Sequence, residues 1–376
     1  MPKIKSYPIY KKFLNKKSLT EISKQTVQSS NIVETEEDDN DDQNSIIGNS
    51  INDNASNSKF KIYKKIKGDY SIYWYLQPNQ CNWKPDAREG QSLVTEGKHA
   101  YLFGGIGKEL YNQIAELDLT NFKWQILKQV QGNIPSARYG HSCNIYRRNI
   151  IIFGGQQRSN QTVLKTRELL QDVYFLNIDT LTWKLINCQG GPLQQRRNHA
   201  SAIIGRNMLI HGGINNKEQT LKDLWILDLV WVEALTKWAA NIQYEGLYAF
   251  GGRNNKGDIL GDLKILKTDC KPLQWIKIET KGVLPKPRHS HSQNFSQHYN
   301  FLIIYGGQND NDSQVFYNDM HLLNVDDLNW IKVTSNSYPA ISRSSHSACI
   351  FDTKFIVFGG INIDGLIPSL LSIGEL

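Results

Sequence analysis

The chain has 376 residues, 40% of them hydrophobic and 10% aromatic, with a formal net charge of +7. That length can bury a large core. No run of eighteen apolar residues exists for a helical membrane span, and the opening MPKIKSYPIYKKFLNKK lacks the apolar stretch of a secretory signal.

The first 58 residues differ in composition from the rest. They hold seven lysines, then the acidic run Glu34–Asp42 (ETEEDDNDD), then Asn/Ser-rich sequence with few aromatics. Such material buries too little apolar surface to fold alone, so residues 1–58 are expected to be a disordered tail. Ser18 and Glu21 have capping-box spacing for a short helix. The tail carries 9 acidic residues, which leaves 36 basic and 27 acidic residues beyond it, a net of +9. An ordinary solvated surface and a basic face for an acidic partner both fit that surplus. No nucleic-acid-binding signature accompanies the charge, which makes nucleic acid the weaker partner.

Beyond the tail the chain is periodic. Six Gly-Gly pairs that close apolar runs recur, at Gly104, Gly154, Gly212, Gly251, Gly306 and Gly359, separated by 50, 58, 39, 55 and 53 residues. All but the third end an apolar run with an aromatic before the glycines (AYLFGG, IIIFGG, MLIHGG, LYAFGG, LIIYGG, FIVFGG). Trp74, Trp124, Trp183, Trp275 and Trp330 precede five of the pairs by 30, 30, 29, 31 and 29 residues. Between each Trp and its glycines stands Arg-x-x-His-Ser/Ala: RYGHS from Arg138, RRNHA from Arg196, RHSHS from Arg288 and RSSHS from Arg343. REGQS from Arg88 is the same mark with Gln91 in the His place. After the glycines come Asp-led alternating strands: DVYFLNI from Asp172, DLWILDL from Asp223, DLKILKT from Asp262 and DMHLLNV from Asp319. One unit therefore predicts four short half-buried strands.

Together these marks, over roughly residues 70–376, resemble the kelch repeat. The resemblance implies an all-β fold, a six-bladed β-propeller of four-stranded blades over residues 59–376. The Gly-Gly ends the second strand of a blade and the Trp lies on the fourth. Gly359-Gly360 is followed by one further strand, SLLSIGEL, and no Trp strand. Trp74 precedes Arg88 by 14 residues, as Trp124 precedes Arg138. The strand around Trp74 is therefore expected to close the ring as the fourth strand of the last blade, leaving no open seam. On that reading residues 59–83 are needed for closure and residues 1–58 are dispensable.

The third-to-fourth junction is short. Trp231 falls only 20 residues before Gly251, and Trp238 stands in the His place with Leu235 in the Arg place. The 7 residues from Trp231 to Trp238, against 17 from Trp124 to His141, span about 23–25 Å at most. That allows one strand but not strand, turn and strand, so one blade is expected to be truncated. A true deletion and a gene-model error both account for it.

Site residues follow from the hairpin of the first two strands, which puts the start of one and the end of the other on the same face. Arg88, Arg138, Arg196, Arg288 and Arg343 should share that rim with the post-glycine residues Ile106, Gln156, Ile214, Arg253, Gln308 and Ile361. In kelch substrate adaptors, arginines and post-glycine residues at matching places grip acidic peptides. The resemblance thus nominates Arg88, Arg138, Gln156, Arg158, Arg196, Arg253, Arg288, Gln308 and Arg343 as partner contacts, through bidentate guanidiniums and loop amides. Because the arginines belong to the repeat itself, burial or pairing within the blade is the competing reading.

No catalytic, cofactor or metal site is expected. The Tyr/His/Cys copper site of kelch oxidases and the Glu-x-x-x-Asp-x-x-x-His of iron-dependent kelch proteins have no counterpart in spacing. His141, His199, His291 and His346 recur once per unit, which argues for architecture. Gly104-Gly105-Ile106-Gly107-Lys108 lacks the spacing of a phosphate loop. Cys81, Cys143, Cys188, Cys270 and Cys349 are odd in number with no Cys-x-x-Cys, as suits reduced thiols in the cytoplasm. The expected function is a non-catalytic protein-interaction scaffold. The alternatives are an enzyme using the axial bowl and a substrate-binding subunit of a ubiquitin-ligase assembly.

Overall fold

Each Gly-Gly run is the second strand of an antiparallel sheet, and six such sheets make the six blades of a β-propeller. The computed structural model describes residues 3–6, 10–12, 70–76, 83–158, 167–190, 193–229, 246–268, 273–296, 299–311, 314–335 and 340–375. The helix expected near Ser18, the acidic run, Trp231 and Trp238 lie outside these.

Blade 2 shows the plan. Its strands Ser142–Tyr146, Asn149–Phe153, Val173–Asn177 and Thr182–Leu185 run from the inner to the outer edge, all antiparallel, and Gln131–Gly132 adds a short parallel strip outside. The second strand is apolar on both faces because neighbouring blades cover both: Ile150, Ile151, Ile152 and Phe153 are fully buried. The expected closure is present. β3 (Ser71–Leu76) is the outer strand of blade 6, with Trp74 opposite Gly374.

The two strongest sequence marks meet at the seams. Each tryptophan packs on the ring that precedes the Gly-Gly of the adjoining blade. The centroid distances are 5.5 Å for Trp183–Phe103, 4.9 Å for Trp275–His211, 5.5 Å for Trp330–Phe250, 5.2 Å for Trp74–Tyr305 and 5.2 Å for Trp124–Phe358. His211 thus fills the aromatic place in the one run that lacked Phe or Tyr there. The glycines are needed because the next blade comes so close. At Gly104, with φ +68°, a Cβ would lie 2.6 Å from the Arg138 carbonyl oxygen.

The short junction is filled from the chain's beginning, so two short stretches of the expected tail pair with the blades. β1 (Lys3–Ser6) pairs antiparallel with Leu224–Asp228 as the outer strand of blade 3. β2 (Tyr10–Lys12) then pairs parallel with Gln274–Ile278 of blade 4. That order, an outer strand followed by a parallel strip on the next blade, matches Lys123–Ile126 with Gln131–Gly132 and Gln274–Ile278 with Lys281–Gly282. Met1–Phe13 accordingly belongs to the propeller unit, and Leu14–Asp69 forms the second unit, outside the described residues. The truncation falls on blade 4, whose sheet has no inner strand among the described residues.

Removing residues 1–13 is therefore expected to lower stability by at least about 1–4 kcal/mol, from the four antiparallel pairs of β1 at about 0.2–1 kcal/mol each, with the three parallel pairs of β2 lost in addition. Thermal melts of the full chain and the truncation measure it. Equal melting temperatures would mean that β1 contributes nothing.

Candidate partner-binding face

The hairpin geometry is as expected. Ladder bridges join Tyr139 to Gln156, Arg197 to Ile214, His289 to Gln308 and Ser344 to Ile361, so inner-strand starts and post-glycine residues share one face. Those bridges involve the residue after each repeat arginine, and the arginines themselves are turned inward.

Arg138, Arg196, Arg288 and Arg343 are 0% exposed and Arg88 is 1% exposed. Each guanidinium donates to the carbonyl of the first glycine of its own blade, at 2.8–3.1 Å. In blades 2, 3 and 5 it also forms a two-pronged pair with the Asp that opens the third strand: Arg138 with Asp172, Arg196 with Asp223 and Arg288 with Asp319. Arg343 donates instead to Ser372 Oγ at 2.9 Å, and burial lowers its pKa. Arg88 stacks 3.6 Å over the Tyr111 ring, and burial lowers its pKa to about 10. The five arginines thus leave the set of partner contacts, because every donor-rich head is enclosed by its own blade. Their backbone carbonyls tie the ring together: the second-glycine N–H of blades 1, 2, 4, 5 and 6 donates to the Arg carbonyl of the next blade at 2.8–2.9 Å.

Blade 4 lost its arginine with the short junction, and Asp262 records the loss. Among the described residues its side chain meets the Lys264 ammonium alone, at 3.1 Å, and its Oδ1 has no hydrogen-bond partner.

The repeat histidines are structural too. His141 Nε2 lies 2.8 Å from Ser92 Oγ, His199 from Ser142 Oγ at 2.8 Å, and His346 from Ser292 Oγ at 3.0 Å, each across a seam. Burial, reinforced by the neighbouring arginine, pushes His141, His199 and His291 down to about 3 and His346 well below its ordinary value. Burial raises the Cys143 and Cys349 thiols to about 12 and Cys188 to about 11, so these thiols stay protonated. Among the described residues no three His, Cys, Asp or Glu side chains converge as a metal site.

The loop residues nominated as contacts divide. Gln156 is buried, and its Oε1 accepts from the Tyr139 hydroxyl at 2.5 Å, so it is removed from the contact set. Gln308 is half-buried and accepts from Ser344 Oγ at 2.5 Å. Arg253 is half-exposed but pairs with Asp310, which also lies 3.0 Å from His289 Nε2. Burial, which by itself would raise the Asp310 carboxyl, is outweighed by hydrogen bonds from His289 and Arg253. Arg158 is exposed, as expected.

The partly exposed residues of this face that sequence reasoning missed are Glu89, Tyr139, Arg197 and His289, each one place after a repeat arginine; Ser344 holds the same place in blade 6 but is buried, and Arg167 lies in the long loop of blade 2 that the sequence also singles out. Glu89 has its carboxyl raised by burial, partly offset by a bond to Ser345. Arg197 is tied to Glu218 at 2.8 Å. Tyr139 differs in its surroundings: with Ile106, Leu110, Gln157, Arg158 and Arg167 it lines a hollow of about 180 Å³ between blades 1 and 2. Arg167 donates to the Tyr139 hydroxyl at 3.0 Å and lies 5.9 Å from its ring centroid. Among the described residues neither Arg158 nor Arg167 has a carboxylate partner, unlike Arg138, Arg148, Arg196, Arg197, Arg206, Arg253 and Arg288.

Known proteins agree with this architecture. The family model described as the KLHDC2/KLHL20/DRC7 Kelch-repeats domain matches residues 69–243 and 234–373. Kelch domain-containing protein 3 of Homo sapiens is 25% identical over 279 residues, covering 73% of this chain and 62% of that protein. The chain thus spans about three fifths of the length of that relative. An F-box/kelch-repeat protein of Arabidopsis thaliana is 29% identical over 77% of this chain and 69% of its own length. Host cell factor 1 of Homo sapiens is 26% identical over 73% of this chain but only 12% of its own. The solved structure of YjhT superposes with a TM-score of 0.59 at 14% identity, covering 78% of this chain and 95% of that one, a likeness of fold. A repeat unit legible in every blade and a family model spanning the ring lead to one statement: this chain belongs to the kelch-repeat family.

Proposed function

We propose that this protein is a non-catalytic interaction module that grips a protein partner on the face bearing the second-to-third-strand and outer-to-inner-strand connections. One observation carries the proposal. Of the eleven exposed large apolar side chains among the described residues, seven lie on connections at this face: Ile134, Val283, Leu284, Val315, Ile341, Ile363 and Leu366. The other four lie within the main strands of the blades, and among the described residues the turns at the opposite ends of the blades carry none of the eleven. Apolar side chains concentrated on one face of a soluble fold mark an interaction surface.

The polar anchor we assign to the hollow of Tyr139, Arg158 and Arg167. Two guanidiniums without a carboxylate partner among the described residues, beside a hydroxyl and the apolar side chains of Ile106 and Leu110, suit an acidic segment of the partner. Related proteins carry interaction-type names, such as the F-box/kelch-repeat protein. A role for the axial bowl as an enzyme site gains no support from the repeat histidines, which are enclosed and hydrogen-bonded to neighbouring blades.

The test is capture of partners from cell extract by the full chain, with bound proteins identified and quantified. Arg158→Glu with Arg167→Glu is expected to weaken capture by about an order of magnitude, with a loss that shrinks as salt rises. Lys98→Glu, in a turn at the opposite face, is expected to change nothing. Equal loss from both variants would place the binding surface elsewhere.

A further inference from the structure

β1 and β2 complete blades with which they are not contiguous, and that sets them apart from the other outer strands. Lys123–Ile126, Thr182–Leu185 and Asn329–Lys332 each follow the third strand of their blade after a four-residue turn. Such a turn fixes the register and keeps the strand local. β3 also arrives from a distance, but it is held on both sides, by Ser372–Glu375 and Thr334–Ser335, and seats Ile72 and Trp74 in the core. Among the described residues β1 has a neighbour on one side only, Leu224–Asp228, through four residue pairs from Lys3↔Asp228 to Ser6↔Trp225. β2 adds three, from Tyr10↔Gln274 to Lys12↔Ile276. The unit Leu14–Asp69 separates both from the rest of the ring in sequence.

The acceptor is therefore a main-chain edge, and recognition of an added strand rests on backbone N–H and C=O groups. Such an edge does not discriminate between the strand of its own chain and the same strand of another copy. Left unfilled, it would be a template for uncontrolled pairing. The connection to β3 is long, so the local concentration of the chain's own strand is on the order of millimolar or lower.

We infer that the outer edge of blades 3 and 4 is a strand-acceptor site and that its partners are Lys3–Ser6 and Tyr10–Lys12 of a second copy of this chain. Each copy has one donor and one acceptor, so reciprocal exchange closes as a two-fold dimer with no edge left over. The same residue pairs form in monomer and dimer, and protein concentration decides between them.

The register supplies the test, because Lys5 and Ile226 are Cα partners. Opposed Cα atoms in an antiparallel pair are about 4.5–5.5 Å apart, within the range a disulfide bridges. Full-length Lys5→Cys and Ile226→Cys chains are mixed at equal amounts, incubated at about 1 mM, and oxidised. The unaltered chain, with its own thiols, provides the background. The expected result is a disulfide-linked dimer of one chain with the other, at least tenfold above that from either variant alone, falling toward background at about 1 μM. A chain carrying both substitutions should link internally at low concentration. If that doubly substituted chain links internally while the mixture stays unlinked at every concentration, the strand is private to its own chain and the inference is overturned. If neither links, the pairing itself is absent, which overturns it as well.

Discussion

Arg288→Ala is expected to lower the unfolding free energy by about 3–5 kcal/mol, the usual effect of removing one partner from a buried ion pair. Arg288 is 0% exposed; its guanidinium holds Asp319 at 2.6 and 2.9 Å and the Gly306 carbonyl at 2.8 Å, and lies 4.2 Å over the Tyr317 ring. Burial would by itself raise the Asp319 carboxyl, but hydrogen bonds from His321 and Arg288 outweigh it and hold it well below the ordinary carboxylate range. Without Arg288 a half-enclosed carboxylate keeps only His321, at 3.0 Å, and the glycine carbonyl loses its donor. Arg288→Met with Asp319→Leu is expected to recover part of the loss, since removing both charges leaves none stranded. Urea unfolding followed by tryptophan fluorescence reads both. A loss under about 1 kcal/mol for Arg288→Ala would mean that the pair is not structural, and would return Arg288 to the candidate partner contacts. Arg158→Ala provides the contrast, because an exposed arginine without a carboxylate should change stability by less than about 0.5 kcal/mol.

That contrast shows which part of the site could be read from sequence. The arginines are visible because they recur, and they recur because in five of the six blades the guanidinium is the donor to the first-glycine carbonyl. Recurrence reports what the blade requires of itself, so it selected buried residues. The partly exposed side chains beside them are Glu89, Tyr139, Arg197 and His289, which share no chemistry. Their only sequence signal is position, one place after each repeat arginine. Arg158 was nominated from a loop that no repeat constrains, and it is the nominated residue left exposed with no carboxylate partner among the described residues. For the fold, Trp74 was legible as ring closure because it keeps the Trp-to-arginine interval. Lys3–Ser6 was not, because four residues in a lysine-rich stretch carry no periodicity. Its clue was negative: blade 3 had too little chain for an outer strand, and something else had to fill that edge.

Lowering the pH from 7 to 5 is expected to destabilise the propeller by several kcal/mol, through histidines that the fold keeps uncharged. His141, His199 and His291 are pushed to about 3 and His346 well below its ordinary value, chiefly by burial. An unfolded histidine takes up its proton near pH 6.5, so below that value the unfolded state binds more protons than the folded one. The loss therefore begins as pH falls through about 6.5 and grows by about 1.4 kcal/mol per unit for each histidine, to about 2 kcal/mol each at pH 5. The depressed Asp223 and Asp319 carboxyls add their own loss only below about pH 4, so the two contributions separate on the pH axis. Blade 1 indicates the diagnostic substitution. Gln91 stands in the histidine place there, and its Nε2 reaches the Phe358 carbonyl across the seam at 3.0 Å, an uncharged link that does not titrate. His199→Gln should therefore keep the ring closed while reducing the pH 7-to-5 loss by about one histidine's share, about 2 kcal/mol. Unfolding free energies of both proteins, measured from pH 7.5 to 4.5, give the two slopes. Parallel curves would show that His199 already carries its proton in the folded protein, and the neutral seam would have to be abandoned.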